Sequence, residues 1–171
     1  KSKFEIYGFY YGEIIKDEMH FEIKKNFDKF FYVDQLDDEE IANLTKANKI
    51  DIAINRSGHT AKARAGIFGH KAAPIQINYL GYAGTLGQEG IDYIISDKFV
   101  IPSGYEKYYS EKIIYLTNCY YPRDNTRVIG KKKFYKTDFG INDDAFVFIS
   151  FNNTYKISEE EFNIWMNILK K

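Results

Sequence analysis

Three short stretches gather residue types that can do chemistry: "NRSGHTAKAR" at 55–64, "LGYAGTLG" at 80–87 and "SFNNTYKIS" at 150–158. Each follows a strand-like run. In open parallel sheets ligands sit outside the carboxyl ends of the strands, where loops lead into helix N-termini. In the first stretch Gly58 permits a tight turn that presents His59 and Thr60. His59 has two readings, a ligand contact or proton-transfer group and an exposed or capping histidine; Thr60 reads as a helix N-cap. In the second, glycines at 81, 84 and 87 let backbone N–H groups approach an anion, as in phosphate-binding nests. Their spacing matches neither the dinucleotide fingerprint nor the Walker pattern, so a turn that needs glycine for its geometry is the alternative. In the third, Lys156 precedes a helix N-terminus, whose positive dipole end disfavours a cation unless an anion is shared. A phosphate would be such an anion: at 4 Å the attraction is ~4 kcal/mol at an effective dielectric near 20, before desolvation. The plain alternative is a solvated surface lysine.

Other residues offer less. His20 lies on an amphipathic helical pattern and His70 at a helix end where a cation complements the dipole, so both read as structural. The three histidines and one cysteine share no ligand spacing, no Asp-x-Asp occurs and no Gly-x-Ser-x-Gly elbow is present. Metal-dependent transfer and serine hydrolysis are disfavoured on that ground.

The elements that must position these residues follow from patterning. "KFEIYGFYYG" reads as a strand and loop, and Asp17 as the cap of a helix with Met19, Ile23 and Phe27 on one face. "KFFYVD" is a second strand. Asp37 with Glu40 forms a capping box for a helix buried through Ile41 and Leu44, and "IDIAIN" is a third strand. A helix around 63–69, strands in "PIQINYLG" and "IDYIISD", a short helix near "SGYEKYYSE" and a strand in "KIIYLT" continue the rhythm. Such alternation implies an α/β class with a parallel sheet buried on both faces. Residues 122–144 are polar, with Pro122, Gly130, Gly140 and the Lys131–Lys133 run, and read as a linker. Beyond it "AFVFISFN" is a strand of buried type, and Ser158 with Glu161 caps a helix whose stripe is Phe162, Trp165, Met166 and Leu169. The divisions are therefore 1–121, 122–144 and 145–171, the last a single strand–helix unit, and the chain reads as a piece of a longer polypeptide.

Composition sets outer limits. The 171 residues carry 24 basic and 24 acidic side chains, so the charge footprint of a general nucleic-acid binder is absent. Cys119 is the only cysteine. No internal disulfide can form, which suits a reducing, cytoplasmic setting. No apolar run approaches the roughly 20 residues that cross a bilayer, and no membrane partner is expected. Fifteen tyrosines and 14 phenylalanines are spread along the chain, which favours packing over a base-stacking platform.

The order of motifs is itself informative. "IDIAINRSGHTAKAR", "APIQINYLGYAGTLG", "DYIISD", "YYSEKIIYL" and "SFNNTYKIS...IWMNILK" together resemble the catalytic region of the O-GlcNAc transferase and SPINDLY family of glycosyltransferases, from about Phe4 to Lys171. The resemblance implies a GT-B architecture of two Rossmann-like lobes, with residues 1 to about 121 as the later part of the N-terminal lobe and 145–171 as the start of the second. It implies inverting, metal-independent transfer of a sugar from a nucleotide donor, UDP-GlcNAc foremost, to Ser or Thr of a protein or peptide acceptor, with no cofactor. By motif, Lys156 matches the lysine that contacts the donor diphosphate and is the expected catalytic residue. Asn153, Leu80, Gly81 and Thr85 match donor-side positions, and His59, Thr60 and Arg64 acceptor-side ones. His59 stands where animal enzymes have tyrosine, Asn153 where they have glutamine, Ala61 replaces a lysine and Ala83 a proline.

The same resemblance places a His-Pro segment before residue 1, a nucleoside pocket and His-Thr-Thr helix after residue 171, and tetratricopeptide repeats upstream. The isolated chain is accordingly expected to be inactive. Fucose transfer from a GDP donor, glucose transfer to asparagine and a non-catalytic scaffold that retains the fold are the rival readings.

Overall fold

Parallel pairing dominates the computed structural model, which describes residues 3–15 and 17–170. The chain divides into two compact units, Lys1–Asp124 and Asn125–Lys171. In the first, β1 (Tyr7–Tyr10) pairs in parallel with β2 (Lys29–Tyr32), Gly8 opposite Phe30. Four further strands, β3 (Ile52–Asn55), β4 (Ile75–Asn78), β5 (Tyr93–Ser96) and β6 (Lys112–Tyr115), form a parallel sheet in chain order. Because parallel neighbours need crossovers, helical segments intervene. These are α1 (Glu18–Lys24), α2 (Asp38–Ala47), α3 (Gly66–Gly69) and, between β5 and β6, a single 3-10 turn at Glu106–Tyr108. The α/β class is the one the alternation predicts.

Local chemistry explains where the helices begin. The Asp17 carboxylate accepts from the His20 N–H at 2.7 Å. Asp37 accepts from the Glu40 N–H while Glu40 accepts from the Asp37 N–H, at 2.7 and 2.8 Å, the reciprocal box expected there. α2 then buries Ile41, Ala42 and Thr45. α1 behaves otherwise. It buries no residue, Met19 is 64% and Ile23 48% exposed, and the helix stops before Phe27, whose ring packs on Phe30 instead. The expected buried stripe of α1 is thus not formed. His20 hydrogen-bonds the Tyr32 hydroxyl at 2.9 Å, and His70 ends α3 as its C-cap.

Register assigns the two faces of the main sheet. Ala53, Asn55, Gln76, Asn78, Ile94 and Ser96 share one face. This face carries the core of Val33, Ile41, Ala42, Ile67, Phe68, Ala72, Leu86 and Ile91, against which Ala53 packs. Gln76, fully buried, is satisfied throughout: its Nε2 donates to the carbonyls of Phe68 and Gly90, and its Oε1 accepts from the Ala72 N–H. The other face presents Ile52, Ile54, Ile75 and Ile114, each between 37% and 49% exposed. Burial of both faces, expected from the apolar strands, is reached on one face, while on this one Ile77 is buried and these four isoleucines are not.

In the second unit, α4 (Glu159–Leu169) starts at Ser158 with the expected box to Glu161. The strand expected in "AFVFISFN" is absent: no strand among the described residues pairs with 145–152, and Phe146, Phe148 and Phe151 are exposed. A strand is held only when a neighbour takes its N–H and C=O groups, and apolar composition alone does not supply one.

Candidate functional site

The carboxyl ends of β3 and β4 lead into two loops that interlock. Asn55 and Asn78, in register on adjacent strands, hold the loops from below. The Asn55 Oδ1 accepts from the N–H groups of Ser57 and Gly58 at 3.0 and 2.9 Å. The Asn78 Nδ2 donates to the carbonyls of Tyr82 and Gly84 at 3.3 and 3.1 Å. Each asparagine therefore shapes the turn that follows its own strand.

Two glycines permit the close approach. Gly58 has φ +56 and faces Tyr82, and a Cβ there would collide with the tyrosine Cβ. Gly81 donates its N–H to the Arg56 carbonyl at 3.0 Å and lies so close to that oxygen that a Cβ would overlap it. Between them Leu80 adopts φ +89, a conformation costing on the order of 1–3 kcal/mol for a side chain with a Cβ. The bonds of Gly81 and Asn78 on either side hold it there.

The glycine-rich loop faces its carbonyls inward. Those of Tyr82 and Gly84 go to Asn78, that of Ala83 to the Tyr109 hydroxyl at 3.4 Å, and that of Leu86 to His59 Nε2 at 3.0 Å. Burial, then the Glu111 carboxylate, raises the Tyr109 pKa above its ordinary value, which keeps it a donor. Among the described residues, no acceptor takes the N–H groups of Tyr82, Ala83, Gly84 or Thr85. Consecutive unpaired N–H groups are suited to an anion.

Thr85 is a strut within this loop. Its hydroxyl donates to Glu111 Oε2 at 2.6 Å and accepts from the Gly87 N–H at 3.1 Å, while Glu111 Oε1 accepts from the Leu86 N–H at 2.7 Å. Glu111 is buried, 4% exposed, and every oxygen it has is used on the loop or on Ser110. Sequence reasoning passed over it. The available signal was a lone acidic residue at the head of an otherwise apolar strand in "YYSEKIIYL", a position that water does not easily reach.

The residues around His59 divide in role. Because a carbonyl only accepts, His59 Nε2 must carry the proton it shares with Leu86, and its Nδ1 lone pair remains open in the neutral ring. Its ring edge packs on Tyr82 at 5.3 Å. The Thr60 hydroxyl closes the turn by donating to the Ser57 carbonyl at 2.7 Å. Arg64 faces inward. It donates to Asp38 Oδ1 from Nε at 2.7 Å and to the Leu36 carbonyl from Nη2 at 2.8 Å, Nη2 forms an ion pair with the same Asp38 oxygen at 2.6 Å, and its guanidinium lies over Tyr11 at 5.8 Å. It is a clamp between α2 and the segment leading to α3. His59, Thr60, Leu80, Gly81 and Thr85 are thus brought together, whereas Arg64 supports them from behind.

Lys156 and Asn153 belong to the second unit. Asn153 begins the 3-10 turn Thr154–Lys156, and Lys156 is exposed with no ion pair among the described residues. The dipole end beside it is met by Glu159, Glu160 and Glu161, and hydrogen bonds from the Ser158 N–H and hydroxyl hold the Glu161 pKa below its ordinary value. Those carboxylates ease the tension that the sequence placed on Lys156.

No group of three or more His, Cys, Asp or Glu side chains placed to hold a metal ion occurs among the described residues. A depression of about 480 Å³ lined by Lys46, Lys49, Asp51, Lys71 and Pro74 lies at the amino ends of β3 and β4, opposite the loops. Among the described residues, no helix is long and apolar enough to cross a membrane.

The chain is similar in sequence and fold to known proteins. Over 154 residues the chain is 39% identical to the probable UDP-N-acetylglucosamine–peptide N-acetylglucosaminyltransferase SEC of Arabidopsis thaliana, covering 87% of this chain and 16% of that protein. Over 137 residues it is 31% identical to the similarly named SPINDLY protein of Eustoma exaltatum subsp. russellianum, covering 78% and 14%. It therefore spans about a sixth of the length of these relatives. A solved lysine-to-methionine mutant of the Thermobaculum terrenum O-GlcNAc transferase superposes with a TM-score of 0.64 at 27% identity, over 68% of this chain and 22% of that one, which agrees with the GT-B reading of the parallel sheet. The model of glycosyl transferase family 41 matches residues 1–136, the stretch that contains both interlocked loops and the Glu111 strut, and the chain belongs to that family.

Proposed function

We propose that the protein containing this chain is a protein O-glycosyltransferase that moves N-acetylglucosamine from UDP-GlcNAc to Ser or Thr hydroxyls with inversion. The observation that carries the reading is the pair of interlocked loops at the carboxyl ends of β3 and β4, within the residues that match the family. The glycine-rich loop offers unpaired N–H groups to the donor side, with Leu80, Gly81 and Thr85 fixing its shape. His59, its Nδ1 open, and Thr60 form the acceptor side. Arg64 acts on the acceptor side through its clamp on α2.

In this scheme the acceptor hydroxyl attacks the anomeric carbon from the face opposite the diphosphate. Its oxygen bonds to that carbon and gives up its proton to an oxygen of the departing diphosphate, the bond from the carbon to the diphosphate breaks, and the diphosphate leaves with that electron pair. Lys156, with Asn153 beside it, neutralises the charge that develops there, which is where stabilisation accelerates the step most. No metal or cofactor is required by this scheme. The unpaired cysteine suits a cytoplasmic setting, and tetratricopeptide repeats upstream would supply protein recognition.

The test is to incubate the full-length protein and candidate acceptor proteins with UDP-GlcNAc, UDP-glucose and GDP-fucose separately, and to map adducts by mass spectrometry. N-acetylhexosamine on Ser or Thr is the expected product. A fucose or an asparagine-linked glucose adduct replaces the donor assignment, and no adduct from any donor leaves a non-catalytic scaffold.

A further inference from the structure

Gln76, Asn55 and Asn78 all point from the sheet into the face that carries the core, yet only Gln76 is fully paired. Asn55 Nδ2 and Asn78 Oδ1 have no hydrogen-bond partner, although the two residues are 4% and 0% exposed. Their amide orientations are not interchangeable. Asn55 must turn its oxygen toward the N–H groups of Ser57 and Gly58, and Asn78 must turn its nitrogen toward the carbonyls of Tyr82 and Gly84. The atoms left over are consequently a donor on β3 and an acceptor on β4, in register on one face. Buried polar atoms of this kind are paired in native proteins, by protein or by an ordered water. Ser96 Oγ, also buried and unpaired, lies on the same face of β5. One water can accept from Asn55 Nδ2 and donate to Asn78 Oδ1, which satisfies both; Ser96 lies two residues beyond the position opposite Asn78 and stands outside this link.

We propose that Asn55 and Asn78 are a positioning pair: a water-bridged amide link across β3 and β4 ties the turn at Ser57–Thr60 to the loop at Leu80–Gly87, so that neither loop sets its shape alone. The argument concerns the loops as structure; its consequence for turnover rests on the function proposed above.

The test is hydrogen exchange on the full-length protein, read at the hydrogen-bonded amides within 57–58 and 81–87, which are those of Ser57, Gly58, Gly81, Leu86 and Gly87, with those of β5 as the control for global loosening. Asn78→Leu removes both halves of the amide. Loss of one hydrogen bond's worth of support corresponds to about three- to tenfold faster exchange, and the expected result is that acceleration at 57–58 as well as at 81–87. Asn55→Ala, the reciprocal variant, is expected to accelerate 81–87 as well as its own turn. Either variant that folds suffices, and acceleration confined to the mutated strand's own loop overturns the link. In steady-state assays Asn78→Leu should raise KM for the peptide acceptor as well as for the nucleotide sugar, with kcat the less affected. Unchanged acceptor KM alongside coupled exchange would count against the functional reading and leave the link standing.

Discussion

At the scale of single residues, the candidate site rests on side chains whose hydrogen bonds are already committed. Thr85 is the clearest case, since its only proton goes to Glu111. Glu111→Ala would leave the buried Leu86 N–H without an acceptor, a loss of about 1–3 kcal/mol. Chemical denaturation of the full-length protein should show that loss, and donor KM should rise as the loop relaxes. Lys156 differs in being uncommitted. In the full-length protein Lys156→Ala should lower kcat on the order of 10²- to 10³-fold, and unchanged turnover would remove it from the mechanism. The sequence displayed the chemistry-bearing types here, because glycines, histidine and lysine stand out at strand ends. It did not display Glu111, Asn55 or Asn78, whose importance comes from burial and register, and both depend on which strands become neighbours. Nor did it show that Arg64 spends its guanidinium on Asp38, a contact set by the packing of α2 beside α3.

At the scale of elements, caps were legible and partners were not. The boxes at Asp37 and Ser158 are local patterns of four residues, and both formed where the spacing put them. The stripe on α1 and the strand in "AFVFISFN" failed for a shared reason: each pattern announces an apolar face, and only a neighbour can bury it. The turn after β5 illustrates the positive case. Asp97 accepts from the N–H groups of Phe99 and Val100 through Oδ1 and of Tyr120 through Oδ2. The Tyr120 bond first, then that of Val100, lowers its pKa. A lowered folded-state value means the contribution is complete above the ordinary carboxylate pKa of about 3.9 and fades as pH falls through the folded value. Acid titration should therefore loosen the amides of 99–100 and 120 below about pH 4, and Asp97→Asn should flatten that dependence. Equal acid sensitivity in the variant would show that another carboxylate governs it.

At the scale of the whole molecule, the main sheet is finished on one face only. Ile52, Ile54, Ile75 and Ile114 form a row of branched side chains open to solvent, and contiguous apolar surface of that kind favours association. The isolated 171-residue chain should bind the apolar dye ANS and sediment as mixed oligomers. Ile54→Lys with Ile114→Lys should reduce both without altering the cluster around Ile41 and Phe68, which lies against the opposite face. Retained dye binding in that variant would assign the effect to exposed aromatics such as Phe146 and Phe148 in the second unit. Cys119 has a different use. It is exposed, it is the only thiol, and it stands five positions before the end of the first unit at Asp124. In the 171-residue chain a maleimide fluorophore or nitroxide will therefore attach at one place without prior removal of native cysteines. Paired with a second label introduced on α4, it makes the separation of the two units a quantity that energy transfer or pulsed electron resonance can follow while nucleotide sugar is added.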